Sequence, residues 1–217
     1  MVMTAIITVI AAYLIGSISF AIIFSNAFMK KDVRSMGSGN AGTTNVMRNG
    51  GFLPGALTFV CDALKGFAAS FMGKLIFEYI MENTDAIWAQ PIYGAYICGT
   101  ACMLGHVFPI FFQFKGGKGV ATSVGIFSVC CPIAIISGLA VFALVTITSK
   151  YVSLASIIAT VTVVVLSIIL YNKSASIIPQ IVFIVIMGAI VILKHKENIK
   201  RLLAGTESKV GSRRRKS

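Results

Sequence analysis

Apolar residues run along this chain in stretches far longer than one face of a soluble helix, separated by short segments of glycine, serine, asparagine and basic residues. The predominantly apolar runs cover residues 3–29, 53–80, 86–114, 120–149, 152–171 and 177–193. A helix of about 20 residues crosses the hydrocarbon of a bilayer, so the pattern predicts an all-α, polytopic integral membrane helical bundle. The run at 120–149 contains Pro132, which has no backbone N–H to give to a helix interior. A break there makes seven transmembrane helices; without it there are six.

Charge favours seven. Lys30, Lys31, Arg34 and Arg48 follow the first run, whereas Glu78, Glu82 and Asp85 lie at the end of the second. Basic loops stay in the cytoplasm, which predicts an N-terminus outside. Six spans would then leave Arg213, Arg214 and Arg215 outside, and a seventh brings the C-terminus to the cytoplasmic face. The halves of the divided run are short: residues 119–131 extend only about 20 Å as a helix, which calls for local bilayer thinning or a partly buried position.

Composition narrows the picture further. Of 217 residues, 57% are hydrophobic and only 12% charged, too little polar surface to cover a soluble domain. Lys and Arg outnumber Asp and Glu by 19 to 7, with nine bases from Lys194 onward. Retention of positive loops in the cytoplasm accounts for this excess, so no nucleic-acid partner is expected. The whole of 1–217 reads as one membrane domain with a basic cytoplasmic tail from about residue 196. The first run is too long for a cleavable signal core and is read as a retained span. The five cysteines lie in apolar stretches without metal-ligand spacing, and no metal is expected.

Three polar segments carry the candidate chemistry. The first, SGNAGTTNVMR at 38–48, contains a GxGxxG arrangement, but it follows a membrane helix and not the strand that a dinucleotide fold needs. Its glycines let successive N–H groups turn toward an anion, with Ser38, Thr43, Thr44, Asn45 and Arg48 as donors. The second, FKGGKGVAT at 114–122, leads into an apolar helix and sets Lys115 and Lys118 at a helix start. It is no nucleotide-binding P-loop: Phe112 stands where that motif has its first glycine, and Gly119 replaces the magnesium-binding hydroxyl. In the third, HKENIKRLLAGTE at 195–207, His195 and Asn198 share a helical face. Inside the runs, Asp62 and Lys65 stand three apart and read as a structural pair, and His106 reads as a packed, hydrogen-bonded residue.

These segments, in order and spacing, together with DALKG, GHVFPIF and KYVSLAS between them, resemble the acyl-phosphate glycerol-3-phosphate acyltransferases over essentially the whole chain. Lys150 and Lys196 stand where arginine is more usual in that family. The resemblance implies an enzyme of the bacterial inner membrane, with its active site on the cytoplasmic side. It would move a fatty acyl group from acyl phosphate to the 1-hydroxyl of glycerol 3-phosphate, giving lysophosphatidic acid and phosphate in the first acylation of phospholipid synthesis. Catalytic roles are implied for His195, Lys118 and Arg48. Substrate binding is implied for Ser38, Gly39, Asn40, Gly42, Thr44, Asn45, Lys115, Gly116, Gly117, Ser153, Ser156, Asn198 and Glu207. Either His195 or a phosphate oxygen of the substrate takes the hydroxyl proton.

No cofactor is implied. The implied partners are the two substrates, membrane lipids and the soluble enzyme that forms acyl phosphate, with the chain itself a monomer. The His and Asp five positions apart that mark acyl-CoA-type acyltransferases are absent, since Phe111 and Lys200 follow His106 and His195 at that distance. The competing class is a membrane transporter of a phosphorylated small molecule, which would favour charge near the bilayer midplane.

Overall fold

The computed structural model describes residues 1–84, 86–171 and 177–211. Asp85 and the arginines at 213–215, used above to argue topology, lie outside the described residues. All regular structure among the described residues is helical: α1 (Val2–Gly16), α2 (Phe20–Met29), α3 (Thr43–Gly50), α4 (Phe52–Glu82), α5 (Pro91–Val107), α6 (Val120–Cys130), α7 (Pro132–Ser149), α8 (Val152–Tyr171), α9 (Ile177–Lys194) and α10 (Lys196–Leu203). Two single 3₁₀ turns lie at Val33–Ser35 and Ile110–Phe112.

Five segments are long and apolar enough to cross a membrane, and the bent pair α9–α10 makes a sixth. The most apolar window of α7 has a mean hydropathy of 2.1 yet is only 17% buried by protein. Side chains such as Ile136, Leu144 and Ile147 on its outer face therefore require lipid as their solvent.

The division at Pro132 is present. Cys131 leaves helical geometry at φ −153°, and Pro132 opens α7 at the first helical position, where its missing N–H costs nothing. The resulting α6 is about 16 Å long, too short to span alone. It lies inside the bundle, with Thr122, Gly125, Ile126, Phe127 and Cys130 buried.

The first run is not one helix, as its uninterrupted apolar pattern suggested. It breaks at Ser17–Ser19 into α1 and α2, and the Lys65 ammonium donates to the Ile18 carbonyl at 2.6 Å, satisfying an acceptor that the break frees. Tyr13 donates from its hydroxyl to the Phe108 carbonyl at 2.8 Å, tying α1 to the end of α5. The tail does not simply trail away from residue 196 either, because α10 and residues 205–211 fold back over the bundle end.

Helix backbones meet through small residues, as expected where burial against lipid supplies no net hydrophobic drive. A Cβ added at Gly125 of α6 would fall 1.8 Å from the Ala63 carbonyl oxygen of α4, and one at Gly66 would fall 2.3 Å from the Thr122 oxygen. α1 and α5 approach the same way, through Gly16 and Gly105. These approaches fix where α6 begins, and hence where Lys118 stands.

Gly125→Ala is therefore expected to force α4 and α6 apart and to destabilise the fold by about 1–3 kcal/mol, the usual cost of overpacking. Scanning fluorimetry in detergent would read a lowered unfolding midpoint. Leu144→Ala, on the lipid-facing side, should move that midpoint little; equal effects would remove the packing argument.

Candidate active site

Three polar segments meet at one end of the bundle. In the first, Gly37 and Gly39 adopt positive φ (59° and 71°), and the loop curls round the buried amide of Asn45. Asn45 Nδ2 lies 3.0, 2.9 and 3.1 Å from the carbonyls of Val33, Met36 and Asn40, while its Oδ1 accepts from the Ser38 N–H and from Asn49. Asn45 thus spends its hydrogen bonds on the loop. Ser38, Asn40, Thr43 and Thr44 line the cavity, and Arg48 joins them one turn further along α3.

In the second segment the Gly117 N–H donates to the His106 carbonyl at 3.1 Å. A Cβ at Gly116 would meet that same oxygen at 2.0 Å, and one at Gly117 would meet His106 Nε2 at 2.2 Å. Gly116 and Gly117 are small so that the loop can lie flat on the end of α5. Gly119, at φ +86°, then turns the chain into α6 and aims Lys118 at the cavity.

In the third segment α9 bends by 53° into α10, with His195 at the corner. His195 Nδ1 lies 2.8 Å from the Val191 carbonyl, so a neutral ring donates there and keeps Nε2 free as an acceptor. Asn198 accepts from Lys118 and donates to Glu207 Oε1 at 2.8 Å. The same carboxylate accepts from Ser153 at 3.0 Å and, on Oε2, from Arg201 at 2.7 Å. Beyond Glu207, Arg48 donates to the Ser208 carbonyl, the Val210 N–H donates to the Lys150 carbonyl, and Lys209 lies over the Tyr151 ring.

Burial sets the protonation states. It pulls the Lys118 ammonium down to about 8, assisted by the charges of Arg201 and Arg48 and opposed by Glu207. It also lowers His195 to about 4, with Lys118 adding to the effect, so the ring is neutral at physiological pH. Burial alone would raise Glu207; hydrogen bonds from Asn198, Arg201 and Ser153 outweigh it and hold the carboxyl below its ordinary range.

The cavity enclosed by these segments measures about 540 Å³. The first turns of α3, α6 and α8 all line it, at Thr43 and Thr44, Val120 and Ala121, and Val152 and Ser153. First-turn N–H groups have no intrahelical partner, so three positive helix ends reinforce Lys118 and Arg48. The buried hydroxyls of Thr43 and Thr146 on its wall have no partner among the described residues. Another part of the wall is apolar, with Phe52, Ala56 and Phe59 from α4 and Phe142 from α7. Val120, Phe142 and Ser156 also border a second cavity of about 50 Å³, lined mostly by apolar side chains of α6–α9.

The structure brings together on this wall Ser38, Asn40, Gly42, Thr44, Asn45, Arg48, Lys118, Ser153, Ser156, His195, Asn198 and Glu207. Gly39, Lys115, Gly116 and Gly117 do not reach it, and Lys115 is exposed. Asp62 and His106, read from sequence as structural, also line the cavity. Among the described residues no His, Cys, Asp and Glu cluster is arranged to hold a metal ion.

A polytopic helical bundle that gathers helix starts and cations around one end of a partly apolar cavity is the architecture of an integral membrane protein with an anion-attracting site. The family model for glycerol-3-phosphate acyltransferase matches residues 6–205, and the chain belongs to that family. It is 44% identical over 212 residues to the glycerol-3-phosphate acyltransferase of Thermoanaerobacter sp. (strain X514), covering 97% of this chain and 98% of the relative. Identity to glycerol-3-phosphate acyltransferase 2 of Bacillus anthracis is 40% over 205 residues, covering 94% and 98%. The crystal structure of PlsY (YgiH), an integral membrane glycerol 3-phosphate acyltransferase, in its glycerol 3-phosphate form superimposes with a TM-score of 0.82 at 35% identity, covering 95% of this chain and 96% of that one. Its lysophosphatidic acid form gives 0.78 at 34% identity, with 95% of each chain covered.

Glu207→Ala would leave the donors of Ser153, Asn198 and Arg201 without their common acceptor, a loss of about 1–3 kcal/mol. Thermal unfolding should show it above pH 5. Because folding holds this carboxyl below the ordinary glutamate value of 4.5, its contribution is present above that value and lost as pH falls through the folded-state one. Wild type and variant should therefore converge on acidification, and a constant difference down to pH 3 would count against the network.

Proposed function

We propose that this chain transfers a fatty acyl group from acyl phosphate to the 1-hydroxyl of sn-glycerol 3-phosphate, giving lysophosphatidic acid and inorganic phosphate. The observation that carries the reading is the convergence of three helix starts, Lys118 and Arg48 on a cavity whose other wall is hydrocarbon-like. Both substrates present a phosphate, and one also presents an acyl chain. Family membership supplies the glycerol 3-phosphate; the presence of several separate anion-attracting elements supports a donor that is itself a phosphate.

Acyl phosphate is a mixed anhydride and already activated, so no covalent nucleophile is needed. The 1-hydroxyl oxygen bonds to the acyl carbon, the bond from that carbon to the bridging phosphate oxygen breaks, and phosphate leaves. Lys118 and the start of α6 neutralise the phosphate of glycerol 3-phosphate, while Arg48, Ser38, Asn40 and Thr44 surround that of the acyl phosphate. Neutral His195 accepts the hydroxyl hydrogen bond at Nε2 and orients the nucleophile. The hydroxyl proton ends on the departing phosphate, passed to it directly or through His195. Asn198 and Ser153, linked through Glu207, keep Lys118 and the start of α8 in register. The chain runs from the cavity into the apolar space between α6 and α9.

The same reading orients the protein. Seven crossings, counting α6 as a short buried one, put Lys30, Lys31, Arg48, Lys118, Lys150 and α10 on one side, the cytoplasmic face of a bacterial inner membrane. Acyl phosphate from a soluble enzyme and glycerol 3-phosphate from the cytosol reach that face directly. A transporter of phosphorylated compounds is the less favoured reading, because Lys118 and Arg48 gather at one end of the bundle.

Purified protein given palmitoyl phosphate and glycerol 3-phosphate is expected to release phosphate in step with lysophosphatidic acid, and to make no product from palmitoyl-CoA. Lys118→Ala should lower kcat/KM by about 100-fold, as loss of a preorganised charge does. Equal turnover with palmitoyl-CoA would sink the donor assignment.

Protonated Lys118 is the form that binds a dianion, so kcat/KM for glycerol 3-phosphate should fall as pH rises through about 8. Lys118→Arg should move that fall to higher pH; an unmoved profile would mean that another group sets it.

A further inference from the structure

A buried charged cluster, two of whose members reach the cavity wall, is not used in the chemistry above. Asp62 and Lys65 of α4 form an ion pair at 2.8 Å with side chains 1% and 3% exposed, and His106 Nδ1 of α5 lies 3.5 Å from the same Asp62 oxygen. Lys65 also donates to the Ile18 carbonyl at the break between α1 and α2. Charges placed this deep are costly unless paired, and an apolar pair of similar size would serve packing equally well.

The contacts of His106 suggest what the cluster does. Its carbonyl accepts the Gly117 N–H, and its ring lies where a Gly117 side chain would otherwise be. Lys118 is the next residue. The Asp62 carboxylate lies against the Nδ1 edge of the ring and Gly117 against its Nε2 edge, so the buried carboxylate bounds the ring on the side away from the glycine loop. Lys65 holds Asp62 in place and is itself fixed by the carbonyl at residue 18. Three elements far apart in sequence are thereby joined to the loop that carries the cavity's lysine.

We propose that His106, held by Asp62 and Lys65, is a positioning residue that sets the height of the Lys118 loop for binding glycerol 3-phosphate. The proposal rests on the reading of that loop as a phosphate site. His106 touches the loop and acts through it.

The test compares His106→Met with His106→Gln in the full-length protein, similar in size but differing in whether a polar group faces Asp62, with kcat, KM for glycerol 3-phosphate and the unfolding midpoint measured for each. His106→Met is expected to raise KM about ten-fold while kcat stays within about three-fold, and His106→Gln to recover most of the KM. A KM unchanged in His106→Met, or raised alike in both, would overturn the proposal, because a merely structural role lowers the unfolding midpoint without separating the two constants. If His106→Met does not fold, Asp62→Leu/Lys65→Met removes the charged pair that bounds the ring while keeping an apolar fill, and the same KM rise is expected; an unchanged KM there would also overturn it. Lys118→Ala runs alongside: if it leaves KM for glycerol 3-phosphate unaltered, the phosphate reading of the loop fails, independently of how His106 behaves.

Discussion

Positive charge concentrated at the edge of a hydrocarbon layer repels itself and lacks the counterions that water would supply, so something within the fold must hold it together. Glu207 does this. Its carboxylate accepts from Ser153, Asn198 and Arg201, and Asn198 in turn accepts from Lys118. One anion thus joins the start of α8, the face of α10 and the loop before α6. Without it the cations and helix ends around the cavity would be pushed apart by their own field. With it they are fixed before any substrate arrives, which is the condition for electrostatic preorganisation.

The charges can be gathered only because the helices carrying them approach closely. Gly66 and Gly125 let α4 and α6 meet backbone to backbone, and Gly116 and Gly117 let the loop lie on the end of α5. An alanine at any of these contacts would move a helix start by a sizeable fraction of an ångström. The glycines that a phosphate-cradle reading assigns to the ligand therefore divide into two kinds. Gly42 lines the cavity, whereas Gly116 and Gly117 support it from beneath.

The cavity has two characters because its walls come from two environments. Helix starts and loops at the bundle end bring N–H groups and cations; the flanks of α4 and α7, apolar because they face lipid, bring Phe52, Phe59 and Phe142. On the proposed function, a ligand that is phosphate at one end and hydrocarbon at the other meets both walls without any charged group having to enter the bilayer.

Local rules legible along the chain set the solvent and the class of fold. Apolar runs of spanning length exclude a soluble protein and Pro132 marks a helix start, both through local rules of length and backbone geometry. The division of the first run at Ser17–Ser19 was not legible, because the Lys65 ammonium that satisfies the broken backbone comes from 47 residues further along. Nor was it legible that Asn45 serves its own loop, that Lys115 points away, or that Asp62 and His106 stand at the cavity. Those outcomes depend on which carbonyl or carboxylate lies within hydrogen-bond reach once the helices have packed. Spacing along a chain limits such distances; only tertiary contact sets them.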